Sequence, residues 1–206
     1  MATEAVSLVV APIVEGHGEV RAVPILLRRI VREVDPLCML EVLAPQRVPR
    51  SSLVKQGQLE RHVEFAGRRV AGRGAVFVLI DTDTDCAATL GPELLQRASA
   101  ARSDLPLSVV LATKEYEAWF IGAIESLRGQ RRIANSVTRP LNPEAIGGAK
   151  GWISRHMPPT APYDEVRDQP ALTALFDLTQ ARSCDSFDKC YRDIAALIRA
   201  ARTKPK

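Results

Sequence analysis

Residues 6–14 (VSLVVAPIV) form a nearly continuous apolar run rich in β-branched side chains, which predicts a strand buried on both faces of a parallel sheet. The run gives way at Glu15-Gly-His-Gly-Glu19. From residue 20 to 34, Val23, Leu26, Leu27, Ile30, Val31 and Val34 recur at helical spacing with arginines between them. Residues 39–48 predict a second strand, and residues 53–70 a polar helix that buries Leu59, Val63, Phe65 and Ala66 and is closed by Gly72 and Gly74. Residues 75–80 (AVFVLI) repeat the buried-strand signal and run directly into Asp81-Thr-Asp-Thr-Asp85. A helix over 90–101, a fourth strand over 107–112 and a helix over 115–127 with Trp119 and Phe120 turned inward complete the alternation. Strands alternating with helices imply an α/β fold with right-handed crossovers, with 6–14 and 75–80 as neighbouring interior strands.

The texture changes after Gly129. Pro140, Pro143, Gly147, Gly148, Gly151, Pro158, Pro159 and Pro162 interrupt any long periodic element. Helices are expected again over 172–178 and over 187–201, the latter with Cys190, Ile194, Leu197 and Ile198 on one face, before a frayed end at 203–206. The expected organisation is therefore an α/β core over residues 1–128, with an irregular and helical extension over 129–206 packed on it. Repeats and low-complexity tracts are absent.

Composition excludes some classes. A 206-residue chain that is 46% hydrophobic and 25% charged can bury one sizeable core, and its apolar runs are too short for the roughly 20 residues a membrane span needs. Residues 1–4 carry an acid and no basic cluster, so a secretory leader is not expected and the cytoplasm is. Cys38, Cys86, Cys184 and Cys190 lack any CxxC spacing, which argues against zinc or a disulfide framework and for buried free thiols. A net charge of +4 and an isoelectric point near 9.0 permit contact with a polyanion without requiring it.

The candidate chemistry lies where the two strongest strands end. Each delivers acids into a loop, and ligands of open α/β sheets bind at that edge. Glu15 and Glu19, four residues apart, approach one point if a helix begins near Gly18, and Gly16 and Gly18 permit the tight backbone. Asp81, Asp83 and Asp85 would share one side of an extended segment. Caps and turns use single acids routinely, Asp85 above all, yet do not explain acids after both strands. Carboxylates crowded in this way repel, and hard oxygen donors suit Mg²⁺ or Mn²⁺.

The segments 9–19 and 76–83 together resemble the Toprim domain of topoisomerases, bacterial primases and OLD-type nucleases: a glutamate in a glycine-containing turn after the first strand, then DxD after a later one. The Glu15-to-Glu19 spacing is most similar to OLD-type nucleases. Lys114-Glu-Tyr-Glu-Ala-Trp-Phe120, with Ser186-Phe187, resembles a compact Toprim-like branch found beside ATPase genes in bacterial defence loci. The resemblance covers roughly residues 5–125 by motif. It implies a Toprim-like central parallel sheet flanked by helices with a C-terminal helical extension. It implies Glu15 as metal ligand or proton-transfer group, Asp81 and Asp83 as ligands, Glu19 as a second-glutamate ligand, and Glu115 or Glu117 as a further acid. It also implies a metal-dependent nuclease acting on DNA or RNA, DNA being favoured, alone or as a homo-oligomer, with an ATPase partner in anti-phage defence. A non-catalytic subunit of an ATPase complex and a small-nucleotide phosphohydrolase are the alternatives.

Several cations could assist. Lys114 lies beside the acidic edge and Lys150 sits in Gly147-Gly-Ala-Lys-Gly151, which lacks the spacing and the Ser or Thr of a Walker A loop. His17 is a candidate contact in the first turn, whereas His62 and His156 have no visible partner. Arg28, Arg29, Arg32, Arg47, Arg50, Arg68, Arg69 and Arg73 could form a phosphate-contacting surface or simply line exposed helices.

Overall fold

The computed structural model describes residues 6–71 and 74–203. Arg73, Gly72 and residues 1–4 and 204–206, about which the sequence raised expectations, lie outside the described residues. The elements run β1 (Ser7–Val14), α1 (Glu19–Val34), β2 (Met39–Val42), β3 (Gln46–Arg47), α2 (Arg50–Leu53), α3 (Gln58–Arg69), β4 (Gly74–Asp81), α4 (Ala87–Ala101), β5 (Leu107–Ala112), α5 (Ala118–Gly122), α6 (Ala149–Arg155), α7 (Glu165–Thr173), α8 (Leu178–Ala181) and α9 (Asp185–Thr203).

The fold is α/β, with a five-stranded parallel sheet flanked by helices and a C-terminal helix, an arrangement consistent with a Toprim-like core. The order is β2-β1-β4-β5, with β3 pairing β1 beyond the end of β2. β1 and β4 are thus interior neighbours, as their nearly continuous apolar character predicts. Their side chains alternate between two cores. Val10, Val14, Phe77, Leu79 and Val110 point to one, capped by α1, α9 and the buried aromatics Tyr116, Trp119, Phe120, Phe176 and Phe187. Ile13, Val76, Val78, Ile80 and Val109 point to the other, covered by Leu59, Val63 and Ala66 of α3 and Leu94 and Ala98 of α4. α7 and α9 both pack on α1, so the C-terminal segment closes a face of the sheet.

Several elements depart from the local pattern. The strand expected over 39–48 is split into β2 and β3. Val10 and Val14 accept from Leu43 (2.9 Å) and Val48 (2.8 Å), so the even residues of β1 turn their backbone toward this side. Pro12, between them, has no N–H to offer there, and Pro45 stands in the gap opposite. The helix expected over 53–70 is likewise two, because Gly57 takes a left-handed φ of 81°. The expected helix over 115–127 is a turn, then α5, then a 3₁₀ turn over Ile124–Leu127. The helix expected over 172–178 instead ends at Thr173; it begins at Glu165, where Asp164 accepts from the Arg167 N–H at 2.8 Å, and Asp177 starts α8 in the same way. Phe65 is exposed rather than buried. All four cysteines are free, but Cys86 is exposed and only Cys184 and Cys190 are fully buried. Among the described residues no helix is long and apolar enough to cross a membrane.

Candidate acidic site at the carboxyl edge of the sheet

Because β1, β4 and β5 run parallel in adjacent positions, their carboxyl ends open side by side. Glu15 follows β1, Asp81 ends β4, Glu117 lies in the turn after β5, and Glu19 opens α1. Glu19 is buried and folds back over the turn, its Oε2 accepting from the N–H groups of Glu15 (2.9 Å) and Gly16 (3.1 Å). Glu15 reaches sideways, its Oε2 accepting from the Asp81 N–H at 3.3 Å. Asp81 Oδ1 accepts from the Tyr116 N–H at 2.9 Å. Three consecutive loops are therefore stitched together by the acids themselves.

Glu117 is fully enclosed. Its Oε1 accepts from the Tyr163 hydroxyl (2.7 Å) and from Gln169 Nε2 (3.2 Å), while Oε2 has no partner. A buried carboxylate oxygen without a donor is costly and calls for a ligand or a proton. Of the two candidates after β5, Glu117 is the inward one. Glu115 is only partly buried and accepts from the Lys150 N–H at 3.2 Å.

The four carboxylates feel one another. Burial lifts Glu19 to about 7, against the backbone hydrogen bonds that hold it down and with added repulsion from Glu15 and Glu117. Asp81 is pushed well above the ordinary carboxylate range, first by its enclosure and then by Glu19, Glu117 and Glu15. Burial also raises Glu15 and Glu117, the latter against the pull of Lys150. Nearby cations compensate in part. Glu117 and Glu165 hold the Lys150 ammonium above its ordinary value although burial opposes this, and its Nζ lies 2.6 Å from Glu165 Oε2.

Asp83 and Asp85 do not join the group. Residues 82–85 form a turn, not the extended segment expected: Asp85 N–H bonds to the Thr82 carbonyl (2.9 Å) and Asp83 takes a left-handed φ of 51°. The alternation that would align the three aspartates is lost, and the exposed Asp83 and Asp85 face Arg50, which ion-pairs with both and donates to the Asp81 carbonyl at 3.0 Å. Lys114, also left-handed at φ 63°, donates from its backbone to the buried Thr82 hydroxyl (2.7 Å) and accepts from the Asp83 N–H (3.2 Å), while its Nζ reaches Ala145 O at 3.3 Å. Two loops in sparsely populated conformations thus brace each other beside the acids. His17 is exposed; His62 bonds to Gln46, and His156 stacks on Trp152. Arg29 is a structural residue, donating to the carbonyls of Thr173 and Phe176 at 2.7 Å each.

Among the described residues, no three Asp, Glu, His or Cys side chains stand together closely enough to hold a cation as they are placed. Glu15, Glu19 and Asp81 each commit an oxygen to a backbone N–H instead. Donor chemistry nevertheless suits a hard divalent ion, because the group is all oxygen and Glu117 Oε2 is bare.

Tyr163, Glu165 and Gln169 were not foreseen. The only local clue was Asp164 as a helix start, which places α7 but not its neighbour across the fold.

Together these features define a parallel α/β protein with an acidic site at the carboxyl edge of its sheet, completed by a C-terminal segment. The chain belongs to the family DUF4276, a domain of unknown function, whose model matches residues 14–195. Neither a curated protein nor a solved structure matches it.

Proposed function

We propose that this protein is a divalent-metal-dependent nuclease that hydrolyses phosphodiesters of nucleic acid, DNA in preference to RNA. The observation that carries the reading is the placing of Glu15, Glu19, Asp81 and Glu117 side by side at one sheet edge, with a buried, partnerless oxygen on Glu117. These four would hold Mg²⁺ or Mn²⁺ once Glu15, Glu19 and Asp81 rotate off their backbone donors, Glu117 already presenting a free oxygen. When bound, the ion supplies Lewis-acid activation of water and stabilises charge on the leaving oxygen. Asp83 and Asp85 keep Arg50 at the mouth of the site, and Arg50 with Lys150 flanks the acids with positive charge that would attract and orient a phosphate. The net charge of +4 favours a polyanionic substrate in the same way. The Toprim resemblance adds an ATPase partner and a role in anti-phage defence to the proposal.

A second reading is favoured by a specific observation: Asp83 and Asp85 are committed to Arg50, and the remaining acids are not gathered around one point. On that reading the chain is a non-cutting subunit of an ATPase complex. Cleavage assays on plasmid, single-stranded DNA, RNA and free nucleotides, with Mg²⁺ or Mn²⁺ and with chelator, separate the two. Metal-dependent cleavage of a polynucleotide that Glu15→Gln and Asp81→Asn abolish is the expected result. A wild type that never cuts, alone or with an ATPase, hands the case to the second reading, and cleavage of free nucleotides alone makes it a small-nucleotide hydrolase.

A further inference from the structure

The C-terminal segment meets the acidic edge at two places. On Glu117, both donors come from beyond residue 160: the Tyr163 hydroxyl at 2.7 Å and Gln169 Nε2 at 3.2 Å, on the same oxygen. On the first turn, α7 lies directly against Gly18. A Cβ at that position would stand 2.3 Å from Gln169 Oε1 and 2.5 Å from the Glu165 carbonyl oxygen. Gly18 has an ordinary helical φ of −66°, so the glycine serves close approach, not an unusual backbone. Gln169 is itself buried, and its Oε1, aimed at this turn, has no partner.

Two donors crowded on one oxygen of a buried carboxylate, with none on the other, is a poor arrangement if Glu117 is only structural, since one donor on each oxygen would satisfy it better. It is a good arrangement for fixing a ligand, because it orients the carboxylate and leaves one oxygen open. Hydrogen-bonded partners of metal-ligating carboxylates act in this way, and losing one typically costs about 10- to 100-fold in metal affinity.

We propose that Tyr163 and Gln169 are positioning residues of the acidic site: they clamp Glu117 by Oε1 so that Oε2 faces the cation, making residues 163–169 part of the site. This rests on the reading of Glu117 as a cation ligand, given above.

The test is Mn²⁺ binding to the full chain, measured by calorimetry and by the loss of the free-ion electron paramagnetic resonance signal, with no substrate present. Tyr163→Phe and Gln169→Met should each weaken Mn²⁺ binding by about tenfold or more, and Tyr191→Phe, which removes a hydroxyl bonded to Glu33 away from the site, should not change it. In a Glu117→Gln background, Tyr163→Phe should add little further loss, because it acts through Glu117; a generally structural role would give additive losses. Circular dichroism and melting curves show which variants fold, and Gln169→Met carries the test if Tyr163→Phe does not. If wild type binds Mn²⁺ and Glu117→Gln weakens it while Tyr163→Phe and Gln169→Met do not, the clamp is wrong and the metal site stands. If wild type binds no Mn²⁺, the metal reading itself fails and the clamp falls with it.

Discussion

At Glu19 burial and hydrogen bonding pull in opposite directions, and burial wins. Its carboxyl rises from 4.5 to about 7, on the order of 3 kcal/mol at about 1.4 kcal/mol per tenfold change in proton affinity. The folded state therefore binds this proton more tightly than the unfolded chain. The contribution of Glu19 to metal-free stability should be fully present below pH 4.5 and be lost as pH rises to about 7. Urea titrations in chelator between pH 5 and pH 8 check this, and Glu19→Gln should flatten the slope; a wild-type stability that climbs across this range contradicts the burial argument. Asp85 is a contrasting case. Exposed and paired with Arg50, it should tolerate Asn with little loss of cleavage, whereas Glu15→Gln and Asp81→Asn should lower the rate by orders of magnitude. Metal-free melting of the latter two should hold or rise, since each removes a charge from a repelling group.

Among the elements, the turn between β1 and α1 is the most exacting. A methyl at Gly18 meets the Glu165 backbone, which cannot swing aside as a side chain can. Gly18→Ala should therefore cost on the order of 2 kcal/mol by forcing α7 off the turn. Gly16→Ala meets only Glu19 side-chain atoms at 3.5 Å, ordinary contact, and should be close to neutral. Thermal melts of the pair compare them directly, and equal destabilisation would remove the argument from close approach. The start of α7 is set by Asp164, whose loss to Ala should cost about 1 kcal/mol, the usual worth of such a cap.

For the whole molecule, the packing argues against a self-sufficient core over residues 1–128. Leu26, Leu27 and Ile30 of α1 share one hydrophobic core with Leu172, Phe176, Phe187, Ile194 and Ile198, so removing 129–206 would strip one face of the sheet. A chain ending at residue 128 should show no cooperative unfolding transition and should bind a hydrophobic dye strongly. A sharp melt from that fragment would contradict the argument from the shared core.

Some of this protein was legible in its sequence because the information is local. Nearly continuous apolar runs at 6–14 and 75–80 have only one comfortable place, the middle of a parallel sheet, and the acids that follow must then emerge at its carboxyl edge. Helical spacing marked α1 and α9, and aromatic residues in an amphipathic stretch marked Trp119 and Phe120 as core. Other features depend on residues far apart in the chain. Pro12 interrupts pairing only because the segment after β2 lies against that side of β1. Asp83 and Asp85 turn outward because residues 82–85 form a turn and Arg50 arrives from another element to meet them. Glu117, one of two equivalent acids in the sequence, becomes the inward one because Tyr163 and Gln169 reach it from 46 and 52 residues away. Residue pattern alone determined where the acids lie along the sheet; tertiary structure decided which of them face one another, because burial and long-range donors select among side chains that local chemistry leaves alike.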